Sequence, residues 1–139
     1  MPLQHIEYRN LNARQQENYN YQKVAGILAD YGFVTMRLSD DWNGADFLAI
    51  PVSGTPLLRV QLKGRLAFAK KYVDQDIHIC FPSRGDWYLL PHDEVLKEVD
   101  AAKHICGTES WQRDGSYHYP HIPEDLQPLL ERFKIVPTA

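Results

Sequence analysis

The stretch that most constrains this chain runs from Asp46 to Arg65, DFLAIPVSGTPLLRVQLKGR. Two aliphatic runs flank Ser53-Gly54-Thr55-Pro56, so the segment reads as a strand from Asp46 to Val52, a turn, and a strand from Leu57 to Lys63. If Gly54-Thr55 is a two-residue loop with glycine supplying the positive φ of a type II′ turn, Ser53 pairs with Pro56, Ile50 with Arg59, Leu48 with Gln61 and Asp46 with Lys63. Side chains alternate along a strand. Asp46, Leu48 and Ile50 then share a face with Arg59, Gln61 and Lys63, while Phe47, Ala49, Leu58, Val60 and Leu62 form the core face. The hairpin gathers a carboxylate, a neutral oxygen donor and an amine among apolar neighbours.

The elements around it follow from similar signals. Asn12 followed by Gln15 is a capping-box pattern, which predicts a helix from Ala13 to Tyr31, stopped by Gly32. Tyr21, Val24, Leu28 and Tyr31 recur at helical spacing and mark its buried face. Glu17, four residues before Tyr21, lies on that face; it needs a partner there, or else sits at the solvated end of the helix. Phe33 to Leu38 reads as a strand and Ser39 to Ala45 as a loop. Leu66 to Tyr72 is ambiguous. Asp76 to Phe81 and Trp87 to Leu90 read as strands around a turn at Ser83–Asp86. A short helix from Asp93 to Val99 follows, then a long connection over residues 100–122, and a last helix from Pro123 to Phe133 disturbed at Pro128. The expected fold is α/β (α+β), a mixed central β-sheet of about five strands flanked by helices, in a single domain over residues 1–139.

Composition excludes several classes. With 44% hydrophobic and 24% charged residues the chain has an ordinary globular balance, and no apolar run is long enough to span a membrane. The N-terminus lacks the basic and apolar regions of a signal peptide, so a cytoplasmic location is expected. Cys80 and Cys106 make no disulfide framework, and Cys80 is expected to be a buried thiol. The net charge of −3 does not mark a general polyanion binder. Yet Arg59, Lys63, Arg65, Lys70 and Lys71 fall in a segment with no acidic residue, which suits either contact with nucleic-acid phosphates or a lysine-guarded strand edge.

Mg²⁺ takes oxygen ligands and keeps several waters. Asp46 supplies one such ligand, the Gln61 side-chain carbonyl a weaker one, and the backbone carbonyl of Leu62 a third, with Glu17 contributing directly or through water. Lys63 is placed to orient water or to stabilise charge on a phosphate. Each residue also has a structural reading: Asp46 as a loop cap, Gln61 in edge pairing, Lys63 as an edge guard. His104, Cys106, His118 and His121 do not match a strong zinc spacing. Trp111, Tyr117 and Tyr119 interleave with them, suiting base stacking, packing over the sheet or a dimer contact.

Asp46, the tripeptide Gln61-Leu62-Lys63, and Glu17 on a preceding helix resemble the PD-(D/E)xK nuclease superfamily, in its Gln-x-Lys variant. The order helix, strand, Asp strand, Gln-x-Lys strand strengthens the likeness over roughly residues 13–90. Gly44-Ala45-Asp46 replaces the family's Pro-Asp. The resemblance implies a restriction-endonuclease-like fold and a Mg²⁺- (or Mn²⁺-) dependent DNA endonuclease with Asp46, Gln61, Lys63 and Glu17 as the catalytic set. It also implies a homo-oligomer, dimer or tetramer, since cutting two strands takes two sites. The alternative is a catalytically inactive module on the same fold that binds nucleic acid or a protein partner.

Overall fold

The computed structural model describes residues 1–42 and 44–138. In chain order these form α1 (Ala13–Asp30), β1 (Phe33–Trp42), β2 (Ala45–Pro51), β3 (Leu58–Leu62), β4 (Leu66–Ala69), β5 (Ile77–Ser83), β6 (Asp86–Pro91), α2 (His92–Lys103), β7 (Ser116–Tyr119), α3 (Gln127–Glu131) and β8 (Lys134–Ile135). Six strands make one sheet in the order β1-β2-β3-β5-β6-β8, and β4 pairs with β7 in a separate two-stranded sheet. All neighbours in the large sheet are antiparallel except β3 and β5, which are parallel. The crossover between those two carries β4 and a 3₁₀ turn at Lys70–Tyr72 in place of the usual long helix. The fold is the mixed central sheet flanked by helices that the restriction-endonuclease-like resemblance implies.

The expected capping box is present. Asn12 Oδ1 accepts from the Gln15 amide and Gln15 Oε1 accepts from the Asn12 amide, both at 2.9 Å. Of the expected apolar stripe on α1, Val24 and Leu28 are buried and Tyr21 is half-buried. Tyr31 is exposed instead, because the helix ends at Asp30, and its hydroxyl accepts from the Val136 amide at 2.9 Å.

Strand alternation divides the core. Phe47, Ala49, Val60 and Cys80 pack with Val24 and Leu28 of α1 on one side. Ile77, Ile79, Phe81, Tyr88 and Leu90 pack with Val95 and Val99 of α2, with Leu66 and Phe68 of β4, and with Leu126 and Leu130 on the other. Cys80 is the buried thiol expected, and burial pushes its pKa far up. The Ser83–Asp86 turn is also as expected: Arg84 and Gly85 both have positive φ, the backbone that a two-residue type I′ hairpin needs.

Several boundaries moved. β1 runs on to Trp42 through most of the stretch expected to be a loop, because pairing with β2 carries it past Arg37 by a register shift; Asn43, in that stretch, lies outside the described residues. The connection at 100–122 contains β7, held by pairing with β4. The last helix shrinks to five residues, because Pro128 has no amide to donate and fits only in a first turn.

His92 fastens the β4 region to the start of α2. It is fully buried; its Nε2 accepts from the Ala69 amide at 3.1 Å, so its proton sits on Nδ1, 2.8 Å from Asp93 Oδ1. Asp93 Oδ2 in turn accepts from the Asp74 amide at 2.8 Å. Burial holds His92 below the ordinary histidine pKa, outweighing Asp93, and burial does the same to His78. The unfolded chain therefore binds protons that the folded chain refuses, and stability rises with pH across the window below about 6.5. Thermal unfolding is expected to shift to lower temperature as pH falls from about 7.5 to about 5. In His92→Gln, which offers Ala69 an acceptor without titrating, that dependence shrinks; an unchanged slope overturns the assignment.

Candidate active site

The turn between β2 and β3 spans residues 52–57 and includes a cis Thr55–Pro56 peptide, so it is longer than the two-residue loop expected. The register shifts with it by two: Phe47 pairs with Val60, Leu48 with Arg59 and Ala49 with Leu58. A shift of two preserves the faces, so Leu48 still stands with Arg59 and the alternation still puts Gln61 on that side. Asp46 is brought beside Gln61-Leu62 rather than opposite Lys63. The β2–β3 ladder stops at Phe47, and one residue on the Asp46 side chain takes over as acceptor, Oδ2 receiving the Leu62 amide at 2.8 Å.

Gln61 occupies the last turn of the pleat before the strand ends. Its Oε1 is buried and has no hydrogen-bond partner among the described residues. Leaving a carbonyl oxygen desolvated and unpaired costs about 1–3 kcal/mol, so this atom is either paired by something outside the chain or kept at a loss. Lys63 follows β3, its amide bonded to the Cys80 carbonyl at 2.8 Å and its Nζ 5.4 Å from the centre of the Tyr72 ring. The same ring packs over Gly44. A Cβ at residue 44 would lie 2.8 Å from Tyr72 Cδ1, and the backbone there has φ +92°, so both space and conformation call for glycine. Tyr72 thus ties the chain just before Asp46 to the chain just after Gln61.

Glu17 reaches the same region from α1. It is exposed, at the solvated end of the helix face, and pairs with Arg37 of β1 at 3.2 Å. Arg37 is also bonded to Asn18 and stacked on Tyr21. Glu17 lies between two openings. A cavity of about 830 Å³ joins it to Arg14, Arg37 and Asp46, and a smaller one of about 210 Å³ joins it to Leu62, Lys63 and Gly64. The 3₁₀ turn at Tyr8–Asn10 closes the smaller one, Tyr8 stacking edge-on against Tyr19 and bonding to Asn20.

Glu17 thus shares one opening with Asp46 and another with Leu62 and Lys63, Asp46 is bonded to the Leu62 amide, and Gln61 is the β3 residue just before it. Among the described residues no group of three His, Cys, Asp or Glu is close enough to hold a metal ion, the zinc candidates included. The oxygen donors at hand are one carboxylate on Asp46, the unpaired carbonyl of Gln61, the Leu62 backbone and the outer carboxylate of Glu17. That all-oxygen set fits a hard divalent cation that keeps its waters, with low charge for holding it.

Of the basic residues, Arg65, Lys70 and Lys71 are exposed near Lys63, whereas Arg59 turns away, its guanidinium 3.3 Å from the Gln75 carbonyl. Arg14 and Arg37 were not singled out by the sequence reading. The signal for Arg37 was present, since it shares the inward parity of Phe33 and Thr35 on β1.

Neither a family model nor a curated protein matches the sequence. Among solved structures the chain is similar to the Holliday junction resolvase Hjc of Archaeoglobus fulgidus, at 14% identity and a TM-score of 0.41 over 55% of this chain and 72% of that one. That likeness is slight, and the functional reading rests on the site itself.

Because the Gln61 oxygen is buried and unpaired, Gln61→Met is expected to leave stability unchanged or raise it by about 1–2 kcal/mol in metal-free urea denaturation. A loss of more than about 1 kcal/mol would mean that the oxygen is satisfied within the folded chain.

Proposed function

We propose that the chain is a divalent-metal-dependent DNA endonuclease that hydrolyses phosphodiester bonds at Asp46, Gln61 and Lys63. The observation that carries this reading is the buried Gln61 Oε1, without a hydrogen-bond partner among the described residues, one residue along β3 from the Leu62 amide that the Asp46 carboxylate holds. Asp46, Gln61 and the Leu62 carbonyl are the residues that would hold Mg²⁺ or Mn²⁺. A cation bound there supplies Lewis-acid and water-activating chemistry. Asp46, anchored by the Leu62 amide, keeps one orientation toward the strand end. Lys63, steadied over Tyr72, donates a hydrogen bond to a phosphate oxygen and balances its charge. Glu17, fixed by Arg37, faces the water side of the site and orients the attacking water. Arg65, Lys70 and Lys71 attract the DNA backbone. A cytoplasmic homo-oligomer, two copies serving two strands, belongs to this reading.

A specific observation favours a second reading. The Asp46 and Glu17 carboxylates each already have a partner within the chain, as they would in a non-catalytic module on the same fold.

Purified protein with Mg²⁺ or Mn²⁺ is expected to nick plasmid DNA, and Lys63→Ala to abolish nicking with an unchanged circular-dichroism spectrum. No cleavage of supercoiled, linear or single-stranded DNA with either ion sinks the enzyme reading. Calorimetry with Mn²⁺ separates the two readings: the nuclease binds the ion and Asp46→Ala does not, whereas the inactive module shows no heat in either. Adding ligand charge with Gln61→Glu is expected to tighten Mn²⁺ binding about tenfold or more; equal or weaker affinity would place the ion elsewhere.

A further inference from the structure

A separate cavity of about 390 Å³ opens on the far side of Lys63. Lys63, Lys70 and Lys71 line it together with Ser116 and His118 of β7, and Asp114 is the carboxylate among its described lining residues. The β4–β7 pairing explains the space. His118 stands across from Ala67 and Ser116 from Ala69, so two alanines form the floor where larger side chains would fill it.

The three lysines are positioned. Lys63 and Lys71 Nζ lie 5.4 and 5.3 Å from the centre of the one Tyr72 ring, and Lys70 Nζ lies 6.0 Å from the Trp111 ring. Elsewhere on the surface Arg37, Lys103, Arg113, Arg132 and Lys134 each pair with a carboxylate. Among the described residues none of the three cavity lysines does, and Asp114 instead takes Arg113 at 3.4 Å. His118 is held below the ordinary histidine pKa by partial burial and then by the nearby positive charges of Arg65 and Lys63. The aromatic residues nearby are not presented for stacking. Tyr117 and Tyr119 pack on each other, centroids 5.0 Å apart, and on the core, and Trp111 is buried.

We infer that this cavity binds a backbone phosphate of a nucleic-acid strand, independent of base sequence, and so holds the strand whose neighbouring phosphate lies at Asp46 and Gln61. The placement of that neighbouring phosphate rests on the nuclease reading; the phosphate contact itself does not. Unpaired, pre-positioned ammonium groups without a stacking platform suit phosphate oxygens rather than base edges.

The test is binding of a fluorescein-labelled DNA duplex in EDTA, by anisotropy, between about 50 and about 200 mM KCl. The double variant Lys70→Ala/Lys71→Ala is expected to weaken binding equally on unrelated sequences. It is also expected to reduce the slope of log K against log salt by about 2. Lys70→Arg/Lys71→Arg is expected to keep the wild-type slope, and Lys97→Ala on α2 to leave it unchanged. A wild-type slope in the double alanine variant, or an equal loss in Lys97→Ala, overturns the inference. Inorganic phosphate alone, followed by the His118 ring proton shifts, distinguishes a free ion: saturable binding of phosphate without DNA binding overturns the nucleic-acid assignment. Lysine-dependent DNA binding without any cleavage leaves the cavity standing and removes the nuclease reading. Cleavage without lysine-dependent binding does the reverse.

Discussion

The site depends on the place where one ladder stops. β2 and β3 pair through Phe47 and Val60, and beyond that the Leu62 amide has no strand partner on the β2 side among the described residues. Asp46 Oδ2 supplies the missing acceptor at 2.8 Å. An amide at a strand end is satisfied by water, a side chain or a continued ladder. Here a carboxylate does it, which fixes the carboxylate as much as the amide. The side chain that ends the pairing is therefore the one held still beside Gln61. On its other edge β3 is held by the parallel ladder to β5, where Gln61 pairs with Ile79 and Leu62 with Cys80, so the strand end is braced from both sides.

Tyr72 extends that constraint into the second layer. Its ring is buried against His92 and covers Gly44, two residues before Asp46, and it carries the Lys63 and Lys71 ammonium groups. His92 in turn accepts the Ala69 amide and reaches Asp93. Asp46, Lys63 and the β4 region are thus linked through one aromatic ring and one neutral imidazole. The segment from Leu66 to Tyr72, ambiguous in sequence, is what makes this possible. It is too short to bury its own face and becomes a strand only because β7, some fifty residues on, pairs with it.

Local signals were legible where the physics is local. The Asn12–Gln15 box, the buried parity of Phe47, Ala49 and Val60, the Arg84-Gly85 turn and the buried Cys80 all follow from residues within a few positions of one another. The face shared by Arg59 and Gln61 was also legible, because parity survives a register shift of two. The register itself was not, since a six-residue turn leaves no two-residue signature. The Glu17–Arg37 pair was half legible: a carboxylate on a core-side helix position asks for a partner, but which strand residue answers depends on how α1 crosses β1. The β4–β7 sheet and its cavity were hidden, because nothing in Leu66–Ala69 names a partner so far along the chain.

On the nuclease reading, Gln61 is a compromise between holding a cation and folding without one. Its oxygen is buried, at a β3 position paired with Ile79 and next to Leu62, whose amide the Asp46 carboxylate holds. A carboxylate there would be a buried charge in a partly desolvated pleat, which costs several kcal/mol unless a cation is bound. A neutral amide leaves one unpaired oxygen, a penalty of about 1–3 kcal/mol that a small fold can bear. The same neutrality lowers the charge available to a divalent ion, and the surrounding ion pair takes up the other carboxylate, Glu17. The Leu62 amide holds Asp46 and the Tyr72 ring underlies the Lys63 ammonium, contacts made within the chain itself. On this chain, then, the arrangement of the site comes from the sheet and its aromatic prop, and on the nuclease reading a cation would add chemistry to a frame already set.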